Sequence, residues 1–385
     1  MKIFLESNGC LSRSLDLKRI KDYFIANGCE IVSRAEDADE IVFLGCAAVK
    51  KEEDWSFEVI SKLKQGRANL IVGGCVKDIS EKRRPEIKDY RTFSTKELGA
   101  IERFFPDFKT RLDQVPDANE GLPRNLRHYI TEDLLSFSGF HLCYLRKFVQ
   151  HYRTRLKKKF VIRISGGCEP EHCSFCAIWK AIGPYRSKSI EACLLELDKA
   201  KALGIRRINI VADNIGAYGI DTGQTLPSLL SAMVAHYPEV SFQIEELSPK
   251  WFITYKDYFY ELARDGKIAT MHTPLQSGSD RILKAMNRRY TATETIEALA
   301  PLKKISPQLG FYTDLIVGFP SETDDDFKET LRVVKAIGFD SLSYYEYDSK
   351  NNFPSLQEVS KDKVKSRLNE LTDFLWANGI GGGPF

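Results

Sequence analysis

Three cysteines within nine residues form the densest group of reactive side chains in this sequence. Cys168, Cys173 and Cys176 lie in the segment Gly-Gly-Cys-Glu-Pro-Glu-His-Cys-Ser-Phe-Cys at 166–176. A structural zinc site usually has four ligands, and no fourth cysteine or suitably spaced histidine completes this set. Three thiolates can instead hold a [4Fe–4S] cluster and leave one iron open to a substrate or cofactor. Zinc binding and buried structural thiols are the alternatives.

Three more cysteines follow predicted strands near the amino terminus. Cys10, Cys46 and Cys75 come after apolar segments at 2–6, 40–44 and 69–72. If these strands are parallel, the three thiols lie at one carboxyl edge of the sheet, where open α/β sheets bind ligands. The pattern indicates a second metal site, and small buried core residues are the alternative.

Composition narrows the function classes. The 385 residues include 56 Lys and Arg against 53 Asp and Glu, a formal charge of +3 that excludes a histone-like nucleic-acid binder. The amino terminus does not resemble a signal peptide, and the longest apolar stretch, at 41–49, is too short to cross a bilayer. Nine cysteines, an odd number, then predict metal or redox chemistry in the cytoplasm rather than disulfides. No membrane partner is expected.

The elements that must position these cysteines form two strand–helix series, and the fold class is therefore α/β. The first hundred residues predict a small parallel, Rossmann-like sheet. From residue 160, six strand–helix units predict an open, partial (β/α)6 barrel, whose loops after the strands open onto the active-site face. Its strands are predicted at 160–165, 207–211, 240–244, 269–272, 310–317 and 341–345. Its helices are predicted at 189–202, 226–235, 255–264, 292–304, 323–336 and 362–376.

Four regions follow from this pattern. We expect an amino-terminal domain at 1–104, a Pro-interrupted basic linker or insertion at 105–159, the partial barrel at 160–355, and a helix with a Gly-rich tail at 356–385. The tail is expected to fray. Between residues 141 and 163 there are eight Lys or Arg and no Asp or Glu. That run is either a solvated linker or a contact surface for a phosphate-bearing substrate.

Separate motifs are found at 7–10, 38–46, 71–75, 161–176, 185–188, 212–219, 272–290 and 313–323. Together they resemble the radical S-adenosylmethionine (SAM) methylthiotransferases, which insert sulfur at an unactivated C–H bond and methylate it. The resemblance covers nearly all of residues 1–355, and the long segment from His272 to Tyr290 is its most specific part.

The resemblance implies a transferase with two [4Fe–4S] clusters, SAM and an external electron donor. Cys168, Cys173 and Cys176 would hold the cluster whose open iron binds SAM and cleaves it to a 5′-deoxyadenosyl radical. Cys10, Cys46 and Cys75 would hold the auxiliary cluster that carries the transferred sulfur. A second SAM would methylate that sulfur. No catalytic residue is assigned beyond these cluster ligands.

Contacts to SAM are predicted on the barrel loops. Phe175, between two of the cysteines, is expected beside the adenine, with loop packing as its alternative. Asp213 and Asn214 at a strand end could bond the ribose or amino group, and Gln276 and Ser277 are suitable polar contacts after the strand that ends at His272.

Three departures from the family bear on the substrate. Four residues separate Cys168 from Cys173 where the family has three, and we expect the extra residue to be bulged out. The sequence leaves no room for the small carboxyl-terminal RNA-binding barrel of the tRNA-modifying members, and the basic insertion before Phe160 is longer than usual. We therefore expect sulfur insertion, as methylthio or thiol, on a peptide or small molecule. A tRNA methylthiotransferase that uses the basic insertion, and a non-catalytic iron–sulfur or RNA-binding protein, are the alternatives.

Overall fold

The computed structural model describes residues 1–121, 160–348 and 357–384. Most of the predicted basic run, including everything from 141 to 159, lies outside these ranges. The chain divides into two compact units. Unit 1 comprises Met1–Val161 and Ala177–Gly183, and unit 2 comprises Ile162–Cys176 and Pro184–Phe385.

Unit 1 is built on a parallel sheet whose strands run in the order β2-β1-β3-β4-β5. The strands are β1 (Lys2–Ser7), β2 (Glu30–Ile31), β3 (Glu40–Gly45), β4 (Asn69–Gly74) and β5 (Arg91–Thr92). The helices are α1 (Leu11–Ala26), α2 (Lys50–Leu63), α3 (Val76–Ile79) and α4 (Trp179–Ile182). Short 3-10 helices are at Ala35–Asp37, Glu81–Ile87, Thr95–Phe104 and Leu112–Gln114.

The central strand β3 shows that both faces of this sheet are covered. All six of its residues are buried, as is usual where helices pack on both sides of a sheet. Ile41 and Phe43 join one core cluster, while Val42 and Leu44 join the other. The first core also contains Ala177 and Ala181, which belong to unit 1 although they follow the cysteine loop in sequence.

Unit 2 contains a seven-stranded sheet in the order β14-β13-β12-β11-β10-β9-β6, and the described pairs from β9 to β14 are parallel. Its strands are β6 (Phe160–Arg163), β9 (Arg207–Val211), β10 (Ser241–Ile244), β11 (Ile268–His272), β12 (Gly310–Val317), β13 (Ser341–Glu346) and β14 (Gly381–Pro384), and a separate antiparallel pair is β7 (Ser165–Gly166) with β8 (Arg186–Ser187). The helices are α5 (Ile190–Ala202), α6 (Leu226–His236), α7 (Pro249–Thr254), α8 (Lys256–Arg264), α9 (Asp280–Ala285), α10 (Ala292–Ile305), α11 (Asp324–Ile337) and α12 (Lys361–Ala377), with a 3-10 turn at Ile215–Ala217.

The carboxyl-terminal tail departs from expectation. It was expected to fray, but Gly381–Pro384 forms β14 beside β13. Gly382 has a φ of +137°, and a Cβ at this position would collide with the carbonyl oxygen of Leu342. The glycines therefore allow a close strand approach here rather than flexibility.

One face of the unit 2 sheet is polar. Asn209 pairs in register with Gln243, and His272 pairs with Tyr312. Register partners in neighbouring parallel strands point to the same side, and every second residue along a strand joins them. This surface, the polar face, comprises Asn209, Gln243, Glu245, Thr270, His272, Tyr312 and Asp314. No helix among the described residues has the length and apolar character to cross a membrane.

Candidate functional site

The loop that carries three cysteines in unit 2 follows β6 and is fixed by its glycines. Gly167 has a φ of +85°, and a Cβ there would collide with the backbone of Pro184. Its N–H donates to Asp213 Oδ2 over 2.9 Å, and Cys168 forms an isolated bridge with Pro184. The backbone that presents the first thiol therefore has a defined conformation.

The thiols of this loop are partly buried and affect one another. Burial, followed by the charge on Cys173, raises the pKa of the Cys168 thiol to about 11. The N–H of Cys176 donates to the carbonyl of Cys173 over 3.2 Å. Because a metal ligand must be deprotonated, binding iron at Cys168 would release a proton.

The four-residue spacer between the first two cysteines is held on both sides. The Glu169 carboxylate accepts from Lys250 Nζ at 2.9 Å and from Asn214 Nδ2 at 3.0 Å. Near the other end, Glu171 pairs with Arg289, and the carbonyl of His172 accepts from Asn287. The longer spacer is thus bound to its surroundings in this structure.

Three predicted SAM contacts lie at the cysteine loop. Asp213 and Asn214 follow β9, as expected, and their side chains bond Gly167 and Glu169. The structure therefore places them as supports of the loop. Phe175 packs against Met286 and its neighbours, and its contact with the adenine stays a prediction.

The other two predicted contacts follow β11. Gln276 has a φ of +69° and pairs with β12, its N–H donating to the carbonyl of Asp314 over 2.8 Å. A positive φ at a residue other than glycine is uncommon and clusters at functional sites. Ser277 is buried, with its Oγ 3.4 Å from Thr330 Oγ1 and accepting from the N–H of Ser279. Its hydroxyl serves the packing around α9.

Sequence reasoning missed the acidic groups of the polar face. His272 Nε2 lies 3.1 Å from Asp314 Oδ2. Burial alone would lower the pKa of His272, but the nearby Asp314 carboxylate raises that pKa to about 9. Glu245 accepts from Asn209 at 3.4 Å, and Glu246, which is exposed, directly follows it. Two adjacent carboxylates directly after a strand were the signal that could have identified this feature.

Unit 1 places its three predicted cysteines at strand ends. Cys10 precedes α1, Cys46 follows β3 and Cys75 follows β4. Burial raises the pKa of the Cys46 thiol strongly, and charges on Cys75 and Cys10 would raise it further, so the three thiols interact. The N–H of Cys46 donates to Asn8 Oδ1 over 2.8 Å, and Ser56 Oγ bonds the same oxygen.

The donor chemistry of both cysteine sets fits iron–sulfur clusters. Each set supplies three thiols, the ligand type that holds a [4Fe–4S] cluster. Within residues 1–121, 160–348 and 357–384, no three His, Cys, Asp or Glu side chains stand at single-ion spacing. A cluster binds each thiolate at a different iron, so its ligands need not stand that close. The ligand assignments themselves stay a prediction.

Comparisons with known proteins agree with this arrangement. The radical SAM superfamily model matches residues 162–334, and that of uncharacterized protein family UPF0004 matches residues 2–93. A tRNA-2-methylthio-N(6)-dimethylallyladenosine synthase of Fervidobacterium nodosum is 28% identical over 94% of this chain and 79% of its own. The ribosomal protein uS12 methylthiotransferase RimO of Chlorobium chlorochromatii is 28% identical over 96% and 79%. The chain belongs to the radical SAM methylthiotransferase family.

This family membership confirms several predictions. The chain is an enzyme that inserts sulfur by radical SAM chemistry, and enzymes of this family use SAM and two [4Fe–4S] clusters. The alternative of a non-catalytic protein is therefore set aside. The α/β fold is also confirmed. A solved structure of the radical SAM methyltransferase TsrM from Kitasatospora setae superposes with a TM-score of 0.60 at 12% identity, covering 89% of this chain and 74% of that one. At that identity the likeness concerns the fold alone.

Proposed function

We propose that this enzyme inserts sulfur, as a methylthio or thiol group, at an unactivated C–H bond of a peptide or small molecule that carries positive charge. The observation that supports this substrate class is the excess of carboxylates on and beside the polar face of unit 2. Glu245, Glu246 and Asp314 lie there, at or beyond the carboxyl-terminal halves of β10 and β12.

Two cations near these carboxylates are each paired with a carboxylate. His272 lies against Asp314, and Lys250 lies against Glu169. Glu245 and Glu246 add two further carboxylates, so we expect a negative local field, which attracts an ammonium or guanidinium group and repels a phosphate. A negative edge favours a basic peptide over a nucleic acid backbone.

Residues of this chain have distinct parts in the proposed reaction. Cys168, Cys173 and Cys176 would hold the SAM cluster, and the three unit 1 cysteines would hold the auxiliary cluster. Asp213 fixes the cysteine loop through its bond to Gly167. Tyr312, which is 37% exposed, presents an aromatic ring on the polar face. When bound, the clusters and SAM supply the radical, the sulfur and the methyl group. The electron would come from an external donor, and the cytoplasm is the proposed compartment because it keeps thiols reduced.

The relatives are named for two substrate classes, a tRNA and a ribosomal protein. RimO is named for a ribosomal protein, so methylthiolation of a polypeptide occurs among them. Most of the relatives compared are named for tRNA, which makes tRNA the second candidate substrate. In that case the basic run from Arg146 to Arg163 would bind the RNA.

The experiment offers both substrates to one preparation. The anaerobically reconstituted enzyme is given SAM, dithionite, and either a library of Lys- and Arg-rich peptides, a matched Glu-rich library, or unmodified tRNA. Mass spectrometry then detects a methylthio or thiol product. We expect product from the basic peptides only. Product from tRNA alone, lost on neutralising Lys157, Lys158 and Lys159, would establish the second candidate instead.

A pair of variants tests the role of the acidic edge. Glu245→Gln removes one carboxylate from the polar face and should reduce the preference for basic over acidic peptides by about fivefold, the effect of about 1 kcal/mol of attraction. Glu239→Gln removes an exposed carboxylate just before the start of β10 and should leave the preference unchanged. Equal preferences in both variants would contradict the electrostatic argument.

A further inference from the structure

We propose that Arg288 is a positioning residue that acts through Cys173 to make one-electron reduction of the SAM cluster more favourable. The proposal rests on the assignment of that cluster to Cys168, Cys173 and Cys176. It concerns a contact between the cysteine loop and the turn after α9, both within unit 2.

Arg288 is bound at every nitrogen of its guanidinium group. Nη1 donates to Cys173 Sγ over 3.1 Å, Nη2 donates to the carbonyl of Pro274 over 2.9 Å, and Nε donates to Tyr290 Oη over 3.0 Å. The turn before it is also held in place, because Asn287 Nδ2 donates to the carbonyl of His172 over 2.7 Å. The bonds to Pro274 and Tyr290 thereby hold the guanidinium against the sulfur of Cys173.

The charges around Arg288 show what the contact requires. Among the contacts given for the described residues, its partners are a carbonyl, a phenol and the thiol, and none is a carboxylate. Burial raises the pKa of Tyr290, so that phenol is neutral, and its hydroxyl donates to Leu275. A partly buried cation needs a negative partner. Besides the rings of Phe175 and Tyr290, Cys173 Sγ is the contacting group that would carry a negative charge when it binds the cluster.

A permanent cation at a ligand sulfur favours the more negative state of a cluster. Reduction adds one electron, taken from the external donor, and no proton moves because a guanidinium stays protonated. Hydrogen bonds and charge at the sulfurs are among the factors that set the reduction potential of iron–sulfur clusters. Arg288 should therefore raise the proportion of reduced cluster at a given potential.

The chain contains a matched control one residue away. Arg289 pairs with Glu171, within the same cysteine loop, and 35% of its side chain is exposed. It has the same charge and nearly the same position in sequence. Replacing it removes a cation near the loop without removing the contact to sulfur.

The test is an anaerobic redox titration of the full-length reconstituted chain, followed by electron paramagnetic resonance. Cys10, Cys46 and Cys75 are replaced by Ala in every sample so that one cluster is observed. In Arg288→Gln we expect the ratio of reduced to oxidised cluster at a fixed potential to fall about tenfold, which is 59 mV for a one-electron couple. Arg288→Lys, which keeps the charge, and Arg289→Gln should each stay within about threefold of the parent.

Other outcomes would contradict either the role of Arg288 or the cluster assignment. A full iron content with an unchanged potential in Arg288→Gln would overturn the proposal while leaving the cluster in place. Equal shifts in the Gln and Lys variants would also overturn it, because shape rather than charge would then matter. If Arg288→Gln folds but loses iron while Arg288→Lys keeps it, the charge requirement is supported. If Cys173→Ala keeps its iron, the cluster assignment itself fails.

Discussion

Replacing Arg367 with Met should destabilise unit 2 strongly, because it leaves a buried carboxylate without its cation. Arg367 lies on α12, and Nη1 is 2.8 Å from Glu322 Oε2. The two side chains are 4% and 2% exposed. The same Glu322 oxygen accepts from the N–H of Gly318 over 2.9 Å, so this pair ties α12 to the loop after β12.

The magnitude follows from burial. Removing one partner of a buried ion pair costs about 3–5 kcal/mol. For a unit of this size, each kcal/mol lowers the melting temperature by about 2–4 °C, so we expect a loss of roughly 10 °C. The matched surface change, Arg332→Met, breaks an i, i+3 pair whose side chains are 57% and 50% exposed, and such a pair contributes below about 1 kcal/mol.

The loss should also depend on pH in a defined direction. Burial raises the pKa of Glu322 to about 7 in the intact protein, and without Arg367 that pKa rises further. A carboxyl group with a raised folded pKa takes up a proton more readily in the folded state, so its destabilising effect grows as pH rises above the unfolded value. Thermal unfolding followed by circular dichroism should therefore show a larger loss at pH 8 than at pH 6.

A second change provides the internal check. Adding Glu322→Gln to Arg367→Met removes the unpaired charge and should recover part of the stability at pH 8. If Arg367→Met melts within about 2 °C of Arg332→Met at that pH, the buried pair does not stabilise the unit as argued here.

Three other predictions concern the site. Replacing the three unit 1 cysteines with Ala should lower reconstituted iron from about eight to about four per chain, and about four irons in both proteins would show those thiols to be core residues only. Asp314→Asn should lower the pKa of His272 from about 9, so the imidazole loses its proton at a lower pH in an NMR titration. An unchanged pKa would mean the carboxylate is not its main partner. Asp213→Ala should speed amide hydrogen exchange at Gly167, because the Asp213 carboxylate accepts a hydrogen bond from that N–H. Unchanged exchange would show that the glycine backbone alone fixes the loop.

Some of the site could be predicted from sequence because its positions are local. Cys46 and Cys75 directly follow apolar segments, and the ends of parallel strands meet at one edge. The six barrel strands were likewise predictable from apolar segments separated by helical periods. Local pattern was sufficient for these features.

Other features depend on contacts that no local pattern contains. Arg288 touches Cys173 across 115 residues of sequence, and its role depends on a turn that sequence alone does not orient. Asp213 was predicted at the right strand end, but its bond to the cysteine loop could not be predicted, because 46 residues of sequence separate it from Gly167. The glycine tail was misjudged because glycine suits both flexible chain and close strand approach, and only the neighbouring strand decides between them.

Because residues 177–183 belong to unit 1, one of its cores includes residues that are synthesised late. Ala177 and Ala181 are part of a unit 1 core, yet the ribosome makes them after the cysteine loop. That core cannot be completed until the cluster-binding loop of unit 2 has also emerged. A fragment that ends at residue 161 would lack α4, and with it Ala177 and Ala181 of this core. Completion of this unit 1 core therefore waits for residues that are translated after the cysteine loop of unit 2.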